Sequence, residues 1–126
     1  MSIIYEKCDS HPESILIRKF IGKVNACDII DSWEFLIENK LIDEKIKGVI
    51  NDLTGCELLM DMEGFKTLID YIKKQDFIKI IKLAVISDSP KTIVFPFLGE
   101  KQEKEMKIKP FSTLKAAVDW VSNDFE

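Results

Sequence analysis

Histidine and cysteine, which carry much of nucleophilic catalysis and metal binding, are scarce in this sequence. His11 is the single histidine and stands beside Pro12 in a predicted turn, so a nucleophile paired with a histidine base would depend on one exposed loop residue. The three cysteines, Cys8, Cys27 and Cys56, are odd in number and far apart, which favours reduced, buried or inert thiols over disulfides or a metal site. We therefore expect no metal and no enzymatic activity.

Glycine is also sparse, and its spacing bears on cofactor binding. The five glycines are scattered, at Gly22, Gly48, Gly55, Gly64 and Gly99. A phosphate-binding loop needs several glycines close together, because its backbone must approach the phosphate closely. The sequence therefore does not support nucleotide binding by such a loop, and we expect no cofactor.

Long apolar runs and an excess of basic residues are missing as well. No run approaches the roughly 18 residues that span a bilayer, and residues 1–7 lack a basic segment followed by an apolar signal stretch. We therefore expect a cytoplasmic protein with no transmembrane segment. The net charge is -4 and the pI is about 5.1, whereas nucleic-acid binding usually requires a concentrated basic surface. A nucleic-acid partner is not expected.

What is present indicates one globular domain over residues 1–126. Hydrophobic residues make up 46% of the 126 residues and charged residues 32%, which is too apolar for a disordered chain and typical of a domain of this length. Residue patterning predicts strands and helices along the chain. The predicted strands span residues 3–7, 14–21, 46–53, 80–86 and 106–109, and the predicted helices are capped by Asn25, Asp61, Ser89 and Ser112.

Smaller sequence features set the boundaries of these elements. Gly22 is predicted to end the second strand, residues 54–57 to form a turn, and Pro96 to end or kink the third helix. In the last helix Leu114, Ala117, Val118 and Val121 are predicted to face inward.

The predicted order is β-β-α-β-α-β-α-β-α. Strands that alternate with helices indicate an α/β fold, with a mixed, mainly parallel five-stranded sheet covered by helices on both faces. We expect the strand at 14–21 to be central, flanked by those at 46–52 and 80–86. The first strand is expected at an edge, antiparallel to its neighbour.

Four segments carry a resemblance to a known fold family. They are Phe20-Ile21-Gly22-Lys23-Val24, Val49-Ile50-Asn51-Asp52-Leu53, Leu83-Ala84-Val85-Ile86 and the closing stretch from Phe111-Ser112-Thr113-Leu114 to Trp120-Val121. In this order they resemble the STAS fold of anti-sigma-factor antagonists and sulfate transporters, and most closely its branch of small SpoIIAA-like bacterial proteins. Together the segments extend over nearly the whole chain.

The resemblance implies a protein-binding or regulatory role. Antagonist members of the family dock on an anti-sigma kinase through the start of the second helix, where a serine is phosphorylated. In this sequence Asp61, Met62, Glu63 and Gly64 fall at that position, so no hydroxyl is available there. Glu63 either imitates a constant negative charge at a helix N-terminus or is an ordinary first-turn acid. The family also resembles the lipid-carrying SEC14 group in fold, which implies an apolar small ligand as an alternative.

Polar residues at strand ends are the best candidates for a site. Asp52, Ser87 and Asp88 should lie at the carboxyl ends of parallel strands, where α/β sheets place ligand crevices. A phosphoryl-accepting receiver domain is a third hypothesis, because Asp52, Ser87 and Lys109-Pro110 fit its pattern. Receiver chemistry also needs carboxylates that hold magnesium, and only Asp9 follows the first strand. The simpler interpretation is that the aspartates cap turns.

A run of large apolar residues, Ile93 to Leu98, exceeds what a short helix needs to cover a sheet edge. It contains Phe95 and Phe97. We expect these residues, with Met62 and Phe65, either to form a contact surface for a protein partner or a homodimer, or to pack in the core beneath a loop.

Overall fold

A computed structural model describes residues 1–88 and 107–123 of the protein. The strands are β1 (Ser2–Lys7), β2 (Ile15–Asn25), β3 (Gly48–Asp52), β4 (Cys56–Leu59), β5 (Lys82–Ile86) and β6 (Lys107–Phe111). The helices are α1 (Ala26–Glu38), α2 (Met62–Lys73), α3 (Asp76–Lys79) and α4 (Leu114–Ser122). The predicted α/β class is confirmed, whereas the predicted helix after Ser89 and its end at Pro96 lie outside the described residues.

The sheet has the order β1-β2-β3-β5-β6, and β4 pairs with β2 beside this path. The pair of β1 and β2 is antiparallel and the other pairs are parallel, so the prediction of an antiparallel first strand at an edge is confirmed. The prediction that residues 80–86 flank the second strand is wrong, because β3 separates β2 from β5. The central position therefore belongs to β3.

The sixth strand arises because β2 does not end at Gly22, as the sequence analysis predicted. Gly22 has a φ of 91°, a conformation that glycine adopts without strain, and the strand continues beyond it to Asn25. This extension pairs with β4, with Gly22 opposite Cys56 and Asn25 opposite Leu59. The predicted turn at 54–57 is therefore wrong in its second half, where the chain is already extended.

The helices lie on both faces of the sheet, as predicted. On one face α1, α2 and α3 contribute Trp33, Leu36, Phe65, Ile69 and Ile78 to the larger core. On the other face α4 contributes Ala117 and Val121, which pack against residues of β2, β3 and β5. Because both faces are covered, the central strands are buried on both sides.

Local capping fixes the starts of the long helices. Asn25 and Asp28 form a capping box at the start of α1, and the Asp61 carboxylate accepts a hydrogen bond from the Gly64 amide at 2.8 Å at the start of α2. Both caps were predicted. The predicted cap of the last helix is wrong by one residue, because Thr113 rather than Ser112 accepts the amide bond.

Two further details of the prediction are corrected. Leu114, predicted to face inward, is 47% exposed and is the first residue of α4. The predicted strand at 80–86 begins at Lys82, and the short helix α3 precedes it. Within the described ranges, no helix is long and apolar enough to cross a membrane.

Candidate functional site

A row of polar side chains crosses the sheet on the face that α1 and α2 cover. Tyr5 on β1 is in register with Arg18 on β2, and Arg18 is in register with Asn51 on β3. Neighbouring residues of paired strands point to the same face of a sheet. Three residues from distant parts of the sequence therefore meet beneath α1.

Arg18 is the centre of this row, and its side chain is only 2% exposed. Its Nε and Nη2 both donate to the Asn51 side-chain oxygen, at 2.8 and 2.5 Å, and Nη1 donates to the Ser32 hydroxyl at 3.0 Å. The Asn51 amide in turn donates to the Ala84 carbonyl at 3.0 Å. These bonds fix the guanidinium in one orientation within the core.

Aromatic rings complete the surroundings of this guanidinium. Its carbon lies 4.2 Å from the centre of the Trp33 ring and 5.1 Å from that of Phe20, within the range of cation–π attraction. Burial lowers the pKa of Arg18 to about 9, while the charge of Tyr5 acts in the opposite direction. Arg18 is therefore still a cation at neutral pH, and its hydrogen-bond acceptors are neutral groups.

Arg18 also lines a partly open cavity of about 90 Å³. Apart from Arg18 and Asn51, the described residues that line it are apolar. They consist of Phe20, Ile29, Trp33, Leu53, Leu58, Met60, Phe65, Leu68, Ile69, Ile72, Leu83, Val85 and Ile108. The cavity lies between the sheet and α1 and α2, and it combines one buried positive charge with hydrocarbon walls.

A site around Arg18 was not predicted, although the sequence contains a signal for it. Arg18 is the only arginine of the chain, and it stands in an apolar strand between Leu16 and Phe20. Since side chains two residues apart share a face of a strand, Arg18 falls on the same inward face as these two core residues. A charged residue at an inward position of a buried strand indicates either a polar network or a binding site.

The predicted site residues Asp52, Ser87 and Asp88 do lie at one edge of the sheet. Asp52 is in register with Ile86, directly before Ser87. Asp52 accepts hydrogen bonds from the Thr54 amide and hydroxyl, at 3.0 and 2.6 Å, so its carboxylate supports a turn. Ser87 is buried, and its amide donates to the Phe111 carbonyl. Asp88 is exposed.

Cys56 lies close to this edge, and its thiol is strongly affected by its surroundings. Desolvation raises the pKa of Cys56 to about 11, with smaller contributions in the same direction from the charges of Asp52 and Asp88. The thiol is therefore protonated and weakly nucleophilic at neutral pH. Of the three cysteines Cys8 is buried, as one form of the expectation held, whereas Cys27 is exposed.

The acidic group that a receiver domain requires is not assembled in the described residues. Asp9 follows β1, whose last residue Lys7 is in register with Leu16 near the start of β2. Asp9 therefore lies at the opposite end of the strands from Asp52. Lys109 and Pro110 lie within β6. Residues 1–88 and 107–123 contain no group of three or more histidine, cysteine, aspartate or glutamate side chains that could hold a metal ion.

The surface carries a separate feature, an open groove where the starts of α1 and α2 lie side by side. It is lined by Asn25, Ala26, Cys27, Leu59, Met60, Asp61, Met62 and Gly64, and we call it the α1–α2 groove. Leu59 and Met62 are 48% and 47% exposed, and Glu63 beside them is exposed. Met60, Ala26 and Gly64 form the floor, where a Cβ added to Gly64 would be in van der Waals contact with the Ala26 Cβ, at 3.5 Å.

One predicted contact residue is absent from this surface. Phe65 is 3% exposed and lies in the core, where it lines the Arg18 cavity. The expectation that Phe65 joins Met62 in an exposed contact surface is therefore wrong, because the helix turns its fourth residue toward the sheet. Phe95 and Phe97 lie outside the described residues.

Comparison of the fold with solved structures identifies its class. An uncharacterized protein with a SpoIIAA-like fold from Shewanella loihica PV-4 is similar with a TM-score of 0.64 and 19% identity, over 95% of this chain and 92% of that chain. An anti-sigma factor antagonist from Mycobacterium paratuberculosis gives 0.61 and 18%, over 95% and 92%. Unphosphorylated SpoIIAA, an anti-sigma factor antagonist, gives 0.57 and 12%, over 95% and 97%.

These similarities confirm that the chain has the SpoIIAA-like, or STAS, fold that its sequence segments resemble. No family model matches the sequence, and no curated protein matches it. At these identities the likeness establishes the fold.

Proposed function

We propose that this protein is a non-catalytic regulatory module that binds a protein partner through the α1–α2 groove. The carrying observation is the pair of half-exposed apolar side chains, Leu59 and Met62, at the start of α2. The similarity to two anti-sigma factor antagonists supports a regulatory or binding module. The resemblance of the sequence to that family implies docking at the start of this same helix.

The chemistry of the groove supports a partner with both apolar and basic side chains. Exposed apolar residues that lie together on a small domain are typical of interaction surfaces. Asp61 and Glu63 add negative charge beside them, and both are exposed. A partner segment that inserts apolar side chains between Leu59 and Met62, and places lysine or arginine near Glu63, would satisfy both features.

The floor of the groove is pre-organised for binding. Met60 is 5% exposed and Ala26 is 7% exposed, and the Asp61 cap holds the Gly64 amide. Gly64 of α2 lies beside Ala26 of α1, and a Cβ at Gly64 would be 3.5 Å from the Ala26 Cβ. A surface that is rigid before binding loses little conformational entropy when a partner docks.

The non-catalytic part of the proposal rests on how the polar groups are used. The Asp52 carboxylate is bonded to Thr54, and the Arg18 guanidinium is bonded to Asn51 and Ser32. The high pKa of Cys56 disfavours its thiolate. These groups are therefore not arranged as nucleophiles or general bases.

A matched pair of variants tests the docking surface. Leu59→Asp with Met62→Asp places charge in the groove, whereas Leu41→Asp changes a leucine of equal exposure, 48%, beyond the far end of α1, about 20 Å away. Aspartate at position 62 is favourable for α2, because acids in the first turn complement the helix dipole. Each purified protein is used as bait in a lysate of the source cells, and captured proteins are quantified by mass spectrometry.

We expect the wild-type protein and Leu41→Asp to capture the same partner, and the groove variant to lose it. Glu63→Gln should weaken capture and reduce its dependence on salt concentration. A partner retained equally by all of these proteins would show that the groove is not the docking surface.

A further inference from the structure

We propose that the Arg18 cavity is a binding site for a short aliphatic carboxylate. The carboxylate group pairs with the Arg18 guanidinium, and the hydrocarbon chain lies among the apolar walls between the sheet and α2. This site is separate from the α1–α2 groove and does not depend on the protein partner proposed above.

Among the described residues, the buried Arg18 cation has no oppositely charged hydrogen-bond partner. Buried charges in proteins are normally paired with an opposite charge, because a buried charge without a partner is costly. Arg18 is 2% exposed, and its hydrogen-bond partners in the described part of the chain are the neutral side chains of Asn51 and Ser32. The fold therefore maintains a buried cation whose preferred partner is a carboxylate.

The second argument is the number of donors that the guanidinium still offers. A guanidinium has five N–H groups, and the bonds to Asn51 and Ser32 involve one each on Nε, Nη1 and Nη2. Among the described residues, one N–H on each terminal nitrogen has no acceptor side chain and is left to donate. Two N–H groups of one guanidinium can bond the two oxygens of a carboxylate, and such a pairing is both strong and specific.

The third argument is the shape and chemistry of the cavity. Its volume is about 90 Å³, smaller than the roughly 150 Å³ engineered cavity that accepts benzene, so a short chain fits and a long acyl chain does not. Leu53, Leu83 and Val85 provide apolar walls on the sheet side. Leu68 of α2 also lines the cavity and is only partly buried, so the wall of the cavity reaches the protein surface there.

Arg18 itself supplies the reporter for the test. Because the chain has a single arginine, the arginine Nε–H region of a ¹⁵N NMR spectrum contains one resonance. Sodium butyrate is titrated into the protein, with 1-butanol, butyramide and sodium chloride as separate controls. We expect butyrate to shift the Arg18 resonance progressively to saturation, and the three controls to leave it in place. A resonance that does not move with butyrate, or moves equally with butanol or chloride, overturns the proposal.

Variants then locate the site without relying on a single substitution. In isothermal titration calorimetry, which does not need the arginine resonance, Arg18→Met should reduce butyrate affinity by about tenfold or more, since a charged hydrogen bond is lost. Lys19→Met removes the same charge from the next residue of β2, which forms a surface ion pair with Glu6 at 3.3 Å, and should bind as the wild type does.

Leu68→Phe leaves Arg18 intact, fills the cavity from its surface side and should also weaken binding, which keeps the test decisive if Arg18→Met does not fold. Equal binding by Leu68→Phe and the wild type would place the ligand elsewhere and overturn the proposal.

Discussion

Arg18 and Asn51 are register neighbours on adjacent parallel strands, and a single side-chain oxygen of Asn51 accepts two bonds from the Arg18 guanidinium. The Asn51 side-chain amide also donates to the Ala84 carbonyl of β5. The pair thus connects β2, β3 and β5 inside the core, where the backbone ladders alone would leave Arg18 without an acceptor.

Replacement of Asn51 should destabilise the protein more than its size suggests. We expect Asn51→Leu to lower the free energy of unfolding by about 1.5 to 3 kcal/mol, because the Arg18 cation loses its main acceptor. The double variant Arg18→Met with Asn51→Leu should be more stable than Asn51→Leu alone, since both polar partners are then removed. Urea unfolding followed by circular dichroism measures both changes. A double variant less stable than Asn51→Leu would contradict this interpretation.

The buried cation should also make stability depend on pH. Its pKa is lowered to about 9 in the folded protein, well below its value in the unfolded chain, so the unfolded chain binds more protons between these two values. The free energy of unfolding from this group therefore rises as the pH increases through that window. Comparison with Arg18→Met separates this effect from other titrating groups. We expect the wild type to gain stability relative to Arg18→Met between about pH 7 and about pH 10. A constant difference between the two proteins would contradict the expectation.

Gly48 should not tolerate a side chain. A Cβ at this position would overlap the Val121 Cγ1 of α4 and lie 3.1 Å from the Lys82 carbonyl oxygen. We expect Gly48→Ala to lower the free energy of unfolding by about 1 to 3 kcal/mol, as overpacking of a core does. The double variant Gly48→Ala with Val121→Ala should recover part of this loss. Gly55→Ala is the matched control, because its Cβ would be 3.4 Å or more from its neighbours. Thermal melts of the four proteins test this, and equal melting temperatures for both glycine variants would contradict it.

The cysteines should differ sharply in reactivity. Cys27 is exposed and Cys8 is buried, while the pKa of Cys56 is raised to about 11. We expect iodoacetamide to modify Cys27 first at neutral pH, because the thiolate is the reactive species and access is required. Asp52→Asn should lower the pKa of Cys56 and speed its modification, whereas Asp119→Asn on α4 should not. Peptide mass spectrometry over time measures each rate; an unchanged rate at Cys56 in Asp52→Asn would argue against the role of this charge.

The parts of the fold that were predicted correctly depend on local chemistry. The caps at Asn25 and Asp61 involve an amide three residues along the chain, so a short stretch of sequence contains the whole signal. The strand β4 was missed because Thr54 and Gly55 are typical turn residues, and its pairing depends on the extension of β2 beyond Gly22. That extension is a tertiary effect.

The cavity was missed for a related reason. The partners of Arg18 are Ser32 and Asn51, 14 and 33 residues away in sequence, and only the strand register brings them together. Charged residues usually lie at the surface of a protein, so an arginine in a strand is expected to be exposed. By contrast, Asp52 and Ser87 were predicted to lie at the same end of the sheet because parallel strands place their carboxyl ends together, even where the predicted strand order is wrong.

Because Arg18 is the single arginine and is buried, cleavage of the chain after Arg18 can report on unfolding. A protease specific for arginine has one peptide bond to cut, after Arg18 in the middle of β2, and that bond is inaccessible while the strand remains in the sheet. Cleavage into two fragments therefore counts molecules in which β2 has left the sheet, and its rate follows the population of the open state when closing is fast relative to cutting. Any ligand that occupies the cavity would slow this cleavage in proportion to its occupancy.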